Sequence, residues 1–537
     1  MRRNRFAFGA VGLAAAAGLV LSACTGPSTG TSSGGATGAT ALNMYLYQEP
    51  AGVFGPLAPS SGPDNQVQSL ISEGLLGVDP DYKLQPELAQ SYTVSGDATT
   101  FTFHLRPGMK WSDGQPFTSK DVLFTYDALA NPKTTSATAG SYAAVQGVSD
   151  FVAGKASTIS GFSAPDANTF VIKATKPDFG LLALIGTAFI MPEHILGKDT
   201  PGQLGKDSFF QAPKVSIGPY KFVSYETNQY VHVTANPYFP TPPKIKDIYL
   251  KPMTSDVATA QLGNGGIDIA SYSPSDIQTV DGFKNVTTQV KAGGGFVRIA
   301  LNQSKAYFKD VRVRQAFLYA INRSQIVQAV LAGKGSVQQS DFFAQNAPSN
   351  LNPYGYDPAK AKQLLTAAGW DFGRTVQLEW VHGQRDRDET AQIVQSQLGS
   401  IGVKVKLVNI QAAQITGTYS DKSYDMVLFG GGNYAVDSSS VNVITACSQQ
   451  YPNGGNVSFF CDPKLDSLMA QANAQADTTQ RTALYHQAAV EENAQADLMW
   501  LYDPNGLWGV NNRVKGFVAP GSQDANFWDP ASWSISS

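Results

Sequence analysis

The sequence predicts an α/β protein divided into lobes, and three observations carry that expectation. Residues 376–407 read as a strand, a helix and a strand, at a spacing that suits parallel pairing. The first third of the chain is richer in short alternating strands. The triplet Gly293-Gly294-Gly295 sits between the two styles, where a hinge or domain boundary is expected. At 537 residues the chain exceeds one ordinary core. Length alone suggests roughly three to four domains or lobes.

The chain opens on Arg2, Arg3 and Arg5, then the uncharged run Phe6–Val20, then Leu21-Ser22-Ala23-Cys24. A cationic start, a short apolar core and small residues before a cut make an export signal. The core is too short for a membrane span, which needs about 20 residues. Small residues running into a cysteine resemble the bacterial lipoprotein signal. That resemblance implies that Cys24 carries a lipid and becomes the mature N-terminus. An ordinary secretory signal with an incidental cysteine is the alternative. Residues 25–40 contain only Thr, Gly, Pro, Ser and Ala, which cannot bury enough surface to fold. They read as a tether of roughly 22 Å root-mean-square span. Gly30-Thr31-Ser32-Ser33-Gly34 matches a hydrolase elbow, but that motif needs a strand before it and a helix after it.

Further on, Phe101, Phe103 and Leu105 alternate with Thr102 and His104, a half-buried strand with His104 on the polar face. Trp111-Ser112-Asp113-Gly114 reads as a turn, and Thr118 or Ser119 can cap a helix through Asp121 to Leu129. Asp310 can cap a helix with Val313, Ala316, Phe317, Ala320 and Ile321 inward. Asp357-Pro358 starts another that ends at Gly369. Val376, Leu378 and Trp380 form a strand, Asp388 to Leu398 a helix, and Val403, Val405 and Leu407 the next strand. Met426–Phe429 is a further apolar strand, followed by Gly430-Gly431-Gly432.

Composition narrows the function. Lys plus Arg is 39 and Asp plus Glu 42, a net charge of −3, so no basic excess exists to neutralise nucleic-acid phosphates. Five His and three Cys leave few soft metal ligands, and no metal or cofactor is expected. Cys447 and Cys461 enclose 13 residues, and export removes the reducing cytosol, so a disulfide is expected. The loop-entropy value for such a bridge is roughly 3 kcal/mol. A metal pair is the alternative, without a further His or Cys close in sequence. The chain contains no H-E-x-x-H, P-loop or C-x-x-C pattern. A secreted hydrolase remains an alternative, because its paired carboxylates can come from separate strands. A passive envelope or adhesion lipoprotein is another.

Several separated stretches share one resemblance. They are Glu73-Gly74-Leu75-Leu76, Leu84-Gln85-Pro86-Glu87-Leu88-Ala89 and Phe103 to Gly114. Pro116-Phe117-Thr118, Gly218-Pro219-Tyr220 and Asn236-Pro237-Tyr238-Phe239 follow, then Asn302 with Phe308 to Arg323, and Asp357 to Gly369. In this order they resemble the bacterial extracellular solute-binding family 5, the peptide- and nickel-binding receptors of ABC transporters. The resemblance implies a two-lobed, periplasmic-binding-protein-like α/β fold of type II, of the large class with an extra subdomain. The expected organisation is a signal at 1–23, a tether at 24–41 and lobe I at 42–295 with the subdomain at about 74–188. Lobe II then spans 296–505, and 506–537 returns to lobe I. Hinge strands are expected at Gly295–Asn302 and Trp500–Trp508, closing over a buried solute.

The same resemblance suggests where that solute sits. Peptide receptors of this family hold an extended peptide largely by its backbone, with an Asp on the amine and an Arg on the carboxylate. The Asp follows the strand that here is Tyr424–Phe429, in a Trp-x-x-Asp pattern. This chain reads Gly431-Gly432-Asn433-Tyr434, then Val436-Asp437-Ser438, so the Trp and the first Asp are missing. Asp437 either meets an amine or caps the following helix. Arg385 and Arg387 follow the strand ending near Val381, as anion-binding candidates or as solvated loop arginines. Asn433, Tyr434, Gly431 and Gly432 are expected to line the cleft, the glycines admitting a bulky ligand to the backbone. The departure weakens free-peptide recognition and leaves oligosaccharides, nickel chelates and modified peptides open. The expected partners are a peptide or other small solute, the permease subunits of an ABC transporter and, through Cys24, the membrane. The chain is expected to act as a monomer outside the cytoplasmic membrane.

Overall fold

The computed structural model describes residues 41–536 apart from 58–60, 135, 137, 341–346, 383, 412–413, 433–437, 453 and 524. The signal, Cys24 and the tether to residue 40 lie outside the described residues, as do Asn433, Tyr434 and Asp437.

A seven-stranded sheet runs in the order Val286–Lys291, Gly506–Asn511, Ile269–Ser271, Ala41–Leu46, Asp247–Pro252, Tyr230–Ala235, Tyr220–Glu226. Leu42, Met44 and Leu46 alternate into its core with Val231, Val233, Ile248 and Leu250. The late strand Gly506–Asn511 fits between two earlier ones and is antiparallel to both. Just beyond it Arg513 forks onto Asp268, with Nε–Oδ1 and Nη2–Oδ2 both 2.7 Å. Asp268, fully buried, also accepts the amide of Asn43 at 2.9 Å. One ion pair thus ties the first strand, the middle of the chain and its end.

A six-stranded sheet runs Gly335–Val337, Leu498–Pro504, Gly295–Leu301, Met426–Gly432, Thr375–Val381, Lys404–Ile410. The last two pair in parallel, as their spacing predicts. Val297, Ile299 and Leu301 face one cluster with Ala391, Val394 and Leu398. Phe296 and Ala300 face the other, with Tyr424, Val427, Phe429 and Trp500. The chain passes from the seven-stranded sheet to this one between Lys291 and Gly295 and returns between Pro504 and Gly506.

A third, four-stranded sheet comprises Ala89–Val94, Thr100–Leu105, Thr169–Lys173 and Phe162–Asp166. Phe101, Phe103 and Leu105 are buried, as the alternation predicts, and so is Trp111. Thr118 caps the helix Ser119–Leu129 in a reciprocal box with Asp121. Asp310 and Asp357 cap their helices too.

One boundary differs from the sequence reading. The helix expected from Asp388 starts at Arg385 and runs to Ser400, placing Arg385 and Arg387 in its first turn instead of a loop. The residue before it, Gln384, makes no capping bond, so no cap residue marks the start. Asp388 turns back to the preceding strand, accepting the indole N–H of Trp380 at 2.6 Å and lying 3.1 Å from Nδ1 of His382. Among the described residues no helix is long and apolar enough to cross a membrane.

Candidate functional site

The edge of the six-stranded sheet nearest the crossing strands holds the candidate site. Met426–Gly432 pairs with Gly295–Leu301 along its whole length, from Leu301↔Met426 to Gly295↔Gly432. On its other side Thr375–Val381 pairs only through Leu378–Trp380 with Met426–Leu428. From Phe429 to Gly432 that side carries no pairing to Thr375–Val381. Beyond Val381 the next element in the chain is the helix Arg385–Ser400. Gly430, Gly431 and Gly432 therefore present backbone without side chains along a half-open edge. Such an edge can accept an extended chain by adding a strand.

Arg387 stands over the face of this strand. Its Nε lies 3.0 Å from where a Cβ on Gly430 would be, and that Cβ would also stand 2.6 Å from the carbonyl oxygen of Phe296. Glycine is required at 430 because the strand and the guanidinium approach so closely. The Nε is buried and has no hydrogen-bond partner among the described residues. An unpartnered, desolvated guanidinium N–H has strong residual capacity for a carboxylate.

The helix turn that carries Arg387 is fixed to the returning strand. Tyr502 shares a 2.9 Å hydrogen bond with Thr390, and its hydroxyl donates to Asp386 at 3.5 Å. Burial holds the Tyr502 phenol well above its ordinary pKa, with the Asp386 charge adding to it. Asp503, next on that strand, accepts the amide of Gly295 at 3.1 Å. Desolvation pushes its carboxyl up to about 7, against the lowering effect of that bond. Tyr82, between the paired short strands Leu76–Val78 and Leu84–Pro86, donates to the carbonyl of Gly293 at 2.6 Å, so the crossing segment is also held from that hairpin. A cavity of about 200 Å³ lies beside it, lined by Tyr82, Phe189, Pro520, Gly521 and Trp528 among others.

The other sequence candidates fall differently. Arg385 is exposed; its Nε donates to Glu389 at 2.9 Å and its Nη1 to Ser275 Oγ at 3.5 Å. Ser275 follows a strand of the seven-stranded sheet, so Arg385 reaches across to that body. Glu389 raises its pKa first, with Asp276 and Asp256 contributing. Asn433, Tyr434 and Asp437 continue from Gly432 outside the described residues. Cys447 and Cys461 are joined by a disulfide, Cα to Cα 4.5 Å.

Sequence reasoning missed Arg298. It is 4% exposed on the strand Gly295–Leu301, with its guanidinium 4.4 Å from the Phe296 ring centroid, 4.7 Å from Phe429 and 4.6 Å from Trp500. Cation–π attraction is strongest when desolvated in this way. A single arginine in the apolar alternation Phe296-Arg298-Ala300 was the available signal. Among the described residues no three His, Cys, Asp or Glu side chains gather as a metal site.

Comparison with known proteins places this geometry in context. The profile of the bacterial extracellular solute-binding proteins, family 5 Middle, matches residues 83–452. The dipeptide-binding protein of Escherichia coli K12 is 28% identical over 458 residues, 81% of this chain and 83% of that protein. The oligopeptide-binding protein AppA of Bacillus subtilis 168 is 24% identical over 543 residues, 96% of this chain and 97% of its own. The solved structure of AppA, in complex with a nonapeptide, superposes with a TM-score of 0.82 over 93% of this chain and 99% of AppA.

Proposed function

Since the chain belongs to the bacterial extracellular solute-binding proteins, family 5, we propose that it is the receptor of an ABC importer and captures a peptide between its two large sheets. The observation that carries this reading is the half-open glycine edge Gly430–Gly432 with the Arg387 guanidinium against it. Backbone along the edge pairs with an extended main chain, and the guanidinium takes the terminal carboxylate. The names of the relatives, dipeptide-binding and oligopeptide-binding, agree with that chemistry. Asp437, with Asn433 and Tyr434, is proposed to complete the wall and meet the amine end. Arg385 is proposed to act at the margin.

The proposed organisation follows the strands: lobe I at 42–295 and 506–537, its subdomain at about 74–188, and lobe II at 296–505. The lobes open and close about the two crossings. The chain is proposed to bind and deliver without catalysis, handing its solute to permease subunits while a lipid on Cys24 holds it at the membrane as a monomer. Native mass spectrometry of the purified protein tests the solute. A co-purified peptide that Arg387→Ala fails to retain is expected, and a sugar or a nickel chelate in its place would overturn the peptide reading. Cys24→Ala is expected to release the protein from the membrane fraction, and a variant that stays membrane-bound and normally processed refutes the anchor.

A further inference from the structure

One face of the glycine strand is covered by Arg387 and the helix that carries it. The other face is aromatic. Antiparallel register sets Phe296 directly across from Gly431 and Arg298 across from Phe429, and on its other side Arg298 stands across from Trp500. Successive side chains of a strand alternate between faces, so Phe429 and Gly431 share a face and Gly430 belongs to the opposite one. Phe296, Arg298, Phe429 and Trp500 therefore form one surface, and Gly431 is the gap in it.

The ring of Phe296 fills part of that gap. A Cβ on Gly431 would stand 3.2 Å from Phe296 Cζ and 3.3 Å from its Cε1. The ring thus leans across Gly431 toward the side of Met426–Gly432 that carries no pairing beyond Leu428. An aromatic side chain lying over a glycine of the neighbouring strand is a known way to cover bare sheet backbone. The ring is also held in place. Its centroid lies 6.1 Å from that of Phe429 at an interplanar angle of 88°, and 6.0 Å from that of Trp500 at 76°. The Arg298 guanidinium stands 4.4 Å from it. Trp500 and Arg298 are buried, yet Phe296 and Phe429 are only half-buried. Two rings that are fixed and still reached by solvent make a preorganised apolar surface.

From this geometry we infer that Phe296 and Phe429 are the floor for one side chain of the bound peptide, and that this floor selects a bulky, uncharged, apolar side chain, above all an aromatic one. The inference rests on the peptide reading above and adds the side-chain class. A strand added along Phe429–Gly432 would lie about 4.8 Å away. Side chains directly across such a pair, on one face, have Cβ atoms about 4.5–5.5 Å apart. At Gly431 the protein supplies no side chain, and the tip of Phe296 is already there, so the ligand side chain meets the ring. Aromatic pairs favour the offset and edge-on contacts that such a ring offers. Arg298 sets the rule for charge. A lysine or arginine side chain on this floor would approach a like charge where little water screens it. A carboxylate would lose hydration while the rings keep it from the guanidinium, which is 4% exposed. Arg387 lies on the opposite face of the strand, so the carboxylate anchor and the side-chain floor do not compete.

The test is calorimetry with alanine tri- and hexapeptides that carry a single Phe, Lys or Glu at each position in turn. Phe at one position is expected to raise affinity at least about fivefold over the all-alanine peptide, with no gain for Lys or Glu there. Phe296→Ala is expected to bring that Phe-to-Ala ratio close to one. Gly431→Ala presses a methyl group against the ring and is expected to reduce the ratio. Should Phe296→Ala be poorly folded, Phe296→Leu reads the same ratio and is expected to lower it. Peptides that bind with equal affinity whatever the side chain would overturn the floor and leave the peptide reading standing. So would a gain for Lys or Glu that matches the gain for Phe, or a ratio that Phe296→Ala leaves unchanged. Absence of binding by every peptide at both lengths would overturn both readings.

Discussion

One buried ion pair of the seven-stranded body and two half-buried charges of the six-stranded body are handled in opposite ways. In the seven-stranded body, Arg513 and Asp268 satisfy each other through two 2.7 Å contacts, and the spare capacity of Asp268 goes to Asn43. In the six-stranded body, Arg387 Nε has no partner among the described residues, while Asp503 takes one backbone amide and no cation stands against it there. A fork pair closed on itself is a fastener: it joins segments far apart in sequence and offers nothing to a visitor. A guanidinium or carboxyl left incomplete at a sheet edge is costly until something arrives or a proton moves. The contrast separates charge that closes on itself from charge left open, without reference to sequence position.

Breaking the fastener should have the largest effect. Arg513→Ala leaves Asp268 buried without its cation, a change that costs about 3–5 kcal/mol in comparable pairs. The low end is expected, because the Arg513 side chain is itself 31% exposed. Thermal or denaturant unfolding would read it, with peptide affinity of the folded fraction unchanged. A loss below about 1 kcal/mol would put this pair with ordinary surface bridges.

Asp503 sharpens the contrast through pH. Its carboxyl rises from the ordinary 3.8 to about 7 in the folded protein. Between those values the native state holds a proton that the unfolded chain has lost, so this group's contribution to stability falls as pH rises from about 4 to about 7. Asp503→Asn should match the wild type near the acid end and exceed it above neutrality. Parallel melting-temperature curves for the two proteins across that range would remove Asp503 from the account.

The smallest expected change in free energy is at the candidate site. Arg387→Ala should weaken peptide binding by at least about tenfold, near 1.4 kcal/mol, with the melting temperature of the peptide-free protein unchanged or raised. Arg387→Lys should recover only part, since an ammonium lacks the planar fork. Wild-type affinity in both variants would make the guanidinium a piece of packing.

Much of the framework was legible because it is written locally. Thr118, Asp310 and Asp357 announce their helices by capping, and the alternations at 101–105 and 376–380 announce strands. The start of the helix Arg385–Ser400 was illegible for the converse reason: Gln384 makes no cap, and Asp388, where the helical stretch was expected to begin, lies inside the helix with its carboxylate on Trp380 and His382. That error of three residues hid the difference between Arg385 and Arg387. From a loop the two looked interchangeable. On a helix, one turns to Glu389 and Ser275 and the other to the glycine strand. The pairing of Arg513 with Asp268 spans 245 residues and carries no local mark at all.

The seven-stranded sheet has one more consequence, for the order in which the chain can fold. Its strand Gly506–Asn511 lies between Val286–Lys291 and Ile269–Ser271, so a ribosome must finish nearly the whole polypeptide before that gap can fill. Until then two neighbouring edges stand unpaired, and the contacts that complete them bridge more than 200 residues, the kind of long-range closure that slows folding. A nascent chain built this way leaves its seven-stranded sheet incomplete for most of its synthesis. A fragment ending before Gly506 would expose both edges permanently and should aggregate.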